Sequence, residues 1–100
     1  MKVEVLYFNG CPNHQPSVER VRAILRQERV SAEVSEVEVT DESAAKALAF
    51  PGSPTIRING LDIERAVRGS ADVGFACRRY PGGLPSEEMI RGAVREACGQ

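Results

Sequence analysis

Apolar and polar residues along this chain follow two periods, and the switches between them mark its elements. Residues 2–8 read as a strand: Val3, Val5, Leu6, Tyr7 and Phe8 are β-branched, aliphatic or aromatic, and Asn9-Gly10 ends the run. The unbroken apolar half, residues 5–8, predicts a central strand buried on both faces. The period then lengthens to that of a helix. Val18, Val21, Ile24 and Leu25 recur on one side, while Glu19, Arg20, Arg22, Arg26 and Gln27 fill the other. Asn13 is the expected N-cap, which puts Pro16 in the first turn, where its missing N–H costs no hydrogen bond. Because Pro16 biases Gln15 away from the α region, a start at Pro16 itself is the alternative.

A second strand is expected within residues 32–39, carried by Val34, Val37 and Val39, and one slip in its alternation predicts two-sided burial or a bulge. Asp41 should cap a short Ala-rich helix over residues 42–50, stopped by Pro51-Gly52-Ser53-Pro54. Residues 55–58 and 61–64, joined by Asn59-Gly60, read as a hairpin with a type I′ turn. That register sets Ile58 against Leu61 and Ile56 against Ile63 as one apolar face. It sets Arg57 against Asp62 as a cross-strand charge pair. The last helix is expected over residues 85–97, with Met89, Ile90, Ala93, Val94 and Ala97 as its buried stripe and Gly99 past its end. Residues 65–83 carry little regular signal and are punctuated by Gly69, Gly74, Pro81, Gly82 and Gly83. So long an unpatterned stretch is functional, mobile, or hides a short strand.

The resulting order, β-α-β-α-β-β-α, predicts a single α/β domain over residues 1–100, with a mixed four-stranded sheet flanked by helices. The first two strands should be parallel and the hairpin antiparallel. An apolar fraction of 42% and a charged fraction of 27% suit a globular chain with a real core. The net charge of −1 gives no steering toward nucleic acid, and no apolar run has the length of a membrane span, so neither partner is expected. Met1-Lys2 leads straight into strand-like sequence without a signal-peptide pattern, so a cytoplasmic location is expected. No phosphate-binding glycine loop, paired carboxylates or Ser-His-Asp set is visible, and no cofactor is expected.

The chemistry therefore centres on three widely spaced cysteines, Cys11, Cys77 and Cys98, which in a reducing compartment should be thiols. Cys11 stands at a strand-to-helix junction, where unpaired N–H groups and the helix dipole favour thiolate. His14 is either an imidazole that stabilises that thiolate or accepts its proton, or a solvated first-turn residue. Cys77 lies in Phe75-Ala76-Cys77-Arg78-Arg79-Tyr80. Either Arg78 and Arg79 help it ionise, or Phe75, Cys77 and Tyr80 simply plug a loop onto the core. Cys98 falls in the last helical turn, where the dipole opposes a thiolate, and reads as a packing or surface residue.

Cys11-Pro12-Asn13-His14 at the end of the first strand, with Ser53-Pro54-Thr55 opening the hairpin, resembles the thioredoxin-like superfamily over nearly the whole chain. The likeness is greater to small bacterial thioredoxin-like proteins than to thioredoxin itself. The first motif is similar to C-x-x-C with histidine in the second cysteine's place, and the second to the cis-proline loop. The resemblance implies a cis Pro54 beside the reactive thiol and Ser53 presenting its backbone to substrate. Pro12, Ser53 and Pro54 would then be the substrate-contacting residues. It also implies that the connection before the last helix passes close to Cys11, which makes Cys77 a distal second thiol. His14 departs from the pattern, because an imidazole cannot resolve a mixed disulfide.

Three functions follow as expectations. The first is thiol–disulfide exchange or redox sensing, with Cys11 as nucleophile and Cys77, or glutathione, resolving; the partner is a protein or small-molecule thiol or disulfide. The second is soft-metal binding, of Hg, Cu, As or Zn, by Cys11 and Cys77 with His14 as a third ligand. The third is a non-catalytic binding module that keeps the scaffold alone. No motif encodes the oligomeric state.

Overall fold

β1 (Lys2–Tyr7) runs through the middle of the sheet, as its apolar run predicts, in a computed structural model that describes residues 1–70 and 73–99. On one side it pairs in parallel with β2 (Glu33–Glu38), and on the other antiparallel with β3 (Thr55–Ile58), which pairs with β4 (Leu61–Asp62). The sheet order is β2-β1-β3-β4, so the fold is α/β with a mixed four-stranded sheet. The helices are α1 (His14–Gln27), α2 (Glu42–Ala47) and α3 (Glu87–Ala97), with a short 3₁₀ turn at Arg65–Val67.

The pleat of the sheet sorts the core into two clusters. Val3 and Val5 of β1 and Ile56 and Ile58 of β3 share the face covered by α1 and α3, against Val21, Ile24, Ile90 and Val94. Leu6 points to the opposite face and meets Val39, Ala45 and Phe50 around α2. Burying each of the larger of these side chains contributes about 1.5–3 kcal/mol, so the sheet is held from both sides. Arg95 and Arg91 reach across to Glu28 and bind α3 to the end of α1.

The slip in β2 has a simple origin. Its ladder with β1 runs unbroken from Lys2↔Glu33 to Tyr7↔Glu38, without a bulge. Val34 leans on the first cluster and Val37 on the second, so this edge strand touches both cores. Val39 lies past the strand, with its N–H on the Tyr7 carbonyl. α2 is shorter than the Ala-rich pattern predicts. Asp41 caps it by accepting from Ala44 N at 2.7 Å, but Ala49 turns to φ +50° and Phe50 leaves the helix to fill the second cluster.

The hairpin register is as predicted, Arg57↔Asp62 and Ile58↔Leu61, with Asn59 and Gly60 both at positive φ as a type I′ turn requires. Two details differ. Leu61 is 51% exposed, on the outermost strand of the sheet. Arg57 does not pair with Asp62: its guanidinium donates to the Ala49 carbonyl, and Asp62 is engaged elsewhere. α3 starts later than its apolar stripe suggests, since Ser86 is extended and caps the helix by accepting from Met89 N. Ala97 is exposed rather than part of the stripe.

Candidate functional site

Cys11 is set by a turn that joins β1 to α1. Gly10 adopts φ +89°, the Cys11 N–H donates to the Phe8 carbonyl, and the Cys11 carbonyl accepts from His14 N at 3.3 Å. The thiol is half-buried, and all three cysteines are free. Asn13 holds the N-cap position of α1, but its side chain makes no cap bond and reaches Gly83 O instead, so Pro16 does fall in the first turn.

The Ser53–Pro54 peptide is cis, and both residues are buried. Ser53 Oγ accepts from the N–H of Phe8, the residue whose carbonyl anchors Cys11. Ser53 also makes a one-residue parallel bridge with Cys77: its N–H donates to Ala76 O at 2.9 Å, and its carbonyl accepts from Arg78 N at 2.8 Å. The unpatterned stretch thus contains a hidden strand-like segment. Paired residues of a ladder put their side chains on the same side, so Cys77 leaves the bridge on the side of Ser53 Oγ and Phe8. Two residues earlier, Phe75 meets Phe8 edge-on with ring centroids 5.5 Å apart.

Past the bridge, Arg78 and Tyr80 turn inward. Arg78 is only 8% exposed and bonds Asp62 through both guanidinium nitrogens, at 2.7 and 3.0 Å, with further bonds to Glu64 and to Thr55 Oγ1. Burial alone would lower its pKa. The hydrogen bonds to Asp62 and Glu64 and the neighbouring Tyr80 outweigh that and hold it protonated. Arg78 also lies over the Tyr80 ring, 4.7 Å from its centroid, and the Tyr80 hydroxyl donates to the Pro54 carbonyl. Burial pushes the Tyr80 phenol well above its usual range; Arg78 opposes that shift, while Asp62 and Glu64 add to it. Gly52 makes room for the segment: a Cβ there would stand 2.9 Å from Arg78 Cβ.

No family model, curated protein or solved structure matches this chain.

The segment bearing Cys77 and the start of the turn bearing Cys11 meet at Ser53. Cys77 is exposed, and Pro12 is exposed on the neighbouring turn. His14 is engaged on the other side. Its ring stacks on Tyr7 at 3.5 Å between centroids and 6° between planes, and Nε2 lies 2.7 Å from Glu36 Oε1 of β2. Among the described residues no three His, Cys, Asp or Glu side chains gather as a metal-ligand set, so a Cys₂His centre is not assembled. Cys98 is exposed at the end of α3. No described helix is long and apolar enough to cross a membrane.

Sequence reasoning missed Asp62, Glu64 and Thr55 as the anchor of Arg78, and Tyr80 as the partner of Pro54. A period-2 signal was present in residues 77–80, with Cys77 and Arg79 outward and Arg78 and Tyr80 inward. It was masked because one of the inward residues is an arginine, which an apolar–polar reading assigns to solvent.

Proposed function

We propose that this chain is a thiol-dependent redox protein of thioredoxin-like architecture, with Cys11 as the nucleophile and Cys77 as the resolving thiol. The observation that carries this reading is the convergence on Ser53. Its side chain holds the turn that bears Cys11, and its backbone holds the segment that bears Cys77. Ser53 is also the first residue of the cis Ser53–Pro54 peptide.

The exchange runs in two displacements. The Cys11 thiolate attacks one sulfur of a disulfide R–S–S–R′, forming a Cys11–S–S–R bond and releasing R′S⁻, which takes up a proton. The Cys77 thiolate then attacks Cys11 sulfur, releasing RS⁻ and leaving a Cys11–Cys77 disulfide. The substrate disulfide is reduced by two electrons and the protein dithiol is oxidised by two. A dithiol or glutathione-class reductant restores the thiols, which fits a reducing compartment such as the cytoplasm. As a sensor, the same pair would stop at the oxidised state until reduced.

Mild oxidation of the reduced protein followed by peptide mass spectrometry tests the assignment. The expected product is an intramolecular Cys11–Cys77 linkage with Cys98 still alkylatable. Recovery of Cys11 neither in that linkage nor in any thiol adduct would count decisively against it.

A further inference from the structure

The backbone of Ser53 is already taken. An extended peptide that docks on a sheet edge does so through alternate backbone N–H and C=O groups, and such groups beside a reactive thiol form a natural polypeptide site. Here the Ser53 N–H and carbonyl, the groups next to Cys77 and the cis peptide, are bonded to Ala76 O and Arg78 N of the same chain. The occupying segment is also clamped. Arg78 is sunk among Asp62, Glu64 and Thr55, Tyr80 is tied to Pro54 O, and Gly52 lets the two backbones approach closely. A polypeptide would have to displace a buried ion pair to reach Ser53. A small disulfide needs only in-line access to the half-buried Cys11 sulfur.

We infer that residues 76–78 fill the chain's own peptide-docking edge, and that the Cys11 site therefore acts on low-molecular-weight disulfides rather than on extended polypeptides. The inference rests on the redox role proposed above and specifies its substrate class. In the single turnover, the two electrons leave the Cys11 and Cys77 thiols and the small disulfide is released as two thiols.

The test uses the pre-reduced full chain and two matched probes. One is bis(2-hydroxyethyl) disulfide; the other is a short unstructured peptide whose cysteine carries the same hydroxyethylthio group. Second-order rate constants for Cys11 oxidation are read by mass spectrometry after acid quenching. The small disulfide should react at least about tenfold faster than the peptide. In Tyr80→Phe, which loses the bond to Pro54 O and loosens the segment, that gap should narrow. A peptide that reacts as fast as the small disulfide would overturn the inference and leave the redox role standing. A gap unchanged in Tyr80→Phe would also overturn it, because occlusion by the segment would not be its cause. If neither probe oxidises Cys11, the redox role and the inference fail together.

Discussion

Arg78 meets Asp62 at 2.7 Å in a site nearly closed to water, and the pair fastens the connection before α3 to the end of the hairpin. The backbone N–H of the same arginine bonds the Ser53 carbonyl, so one residue links the hairpin's charge to the cysteine-bearing segment. Stability and site geometry are therefore coupled at this position.

Removing one partner of a buried, hydrogen-bonded ion pair strands the other. Arg78→Ala should lower unfolding free energy by about 3–5 kcal/mol, measured by denaturant titration. Arg78→Lys keeps the charge but loses the two-nitrogen grip on Asp62, and should cost less. Replacing both residues, as Arg78→Met with Asp62→Leu, should recover most of the loss, since no charge is then left buried. A loss below about 1 kcal/mol in Arg78→Ala would show that the pair does not hold the segment.

Gly52→Ala should be destabilising for two separate reasons. Its φ of +138° is disfavoured for any residue with a Cβ, and that Cβ would stand 2.9 Å from Arg78 Cβ and 3.1 Å from Ala76 O. A cost of about 1–3 kcal/mol is expected, together with faster hydrogen exchange at the Arg78 amide as the segment is pushed away. Gly60→Ala meets no atoms within 4 Å and should leave that exchange unchanged.

Alkaline stability should depend on Tyr80. Its phenol titrates above the ordinary range in the folded chain, through burial first and the nearby carboxylates second, against the pull of Arg78. Below about pH 10 both folded and unfolded tyrosine are protonated, and the contribution is fully present. Above that, the unfolded chain gives up a proton that the folded chain keeps, so stability falls as pH rises, by at most about 1.4 kcal/mol per pH unit from this group. Melting temperatures between about pH 9 and 12 should decline more steeply in the wild type than in Tyr80→Phe.

The cysteines should separate by role. With a small disulfide in excess, Cys77→Ser should accumulate a stable mixed disulfide at Cys11, because the second displacement is lost. Cys11→Ser should form no intramolecular disulfide, and Cys98→Ser should behave as the wild type. Non-reducing mass spectrometry distinguishes these outcomes. A Cys77→Ser chain that releases both small thiols and ends as a Cys11–Cys98 disulfide, with no mixed disulfide accumulating, would remove Cys77 from the scheme.

His14 joins α1 to β1 and β2 by its stack on Tyr7 and its bond to Glu36. His14→Ala should cost about 1 kcal/mol of stability, a typical value for one lost stack or hydrogen bond. Its Cys11 alkylation rate at neutral pH should stay within about twofold of wild type. A larger drop in that rate would show that the imidazole acts on the thiol as well.

Local patterns carried the elements of this protein a long way. The central placement of β1, the capping of α2 by Asp41, the Asn59-Gly60 turn and the hairpin register all follow from spacing and turn chemistry acting over a few residues, and the sequence sufficed for them. Cys11 could likewise be placed at a strand-to-helix junction from its neighbours alone. What surrounds it was settled only by tertiary structure. Asp62 takes Arg78 rather than the cross-strand Arg57, His14 turns to Tyr7 and Glu36, and residues 76–78 close on Ser53. Each of these is a choice among partners set apart in sequence, from seven residues for His14 and Tyr7 to 25 for Ser53 and Arg78, and made only when the chain folds. A charge out of water must find the geometry that satisfies it, and no periodicity along the chain records which partner that will be.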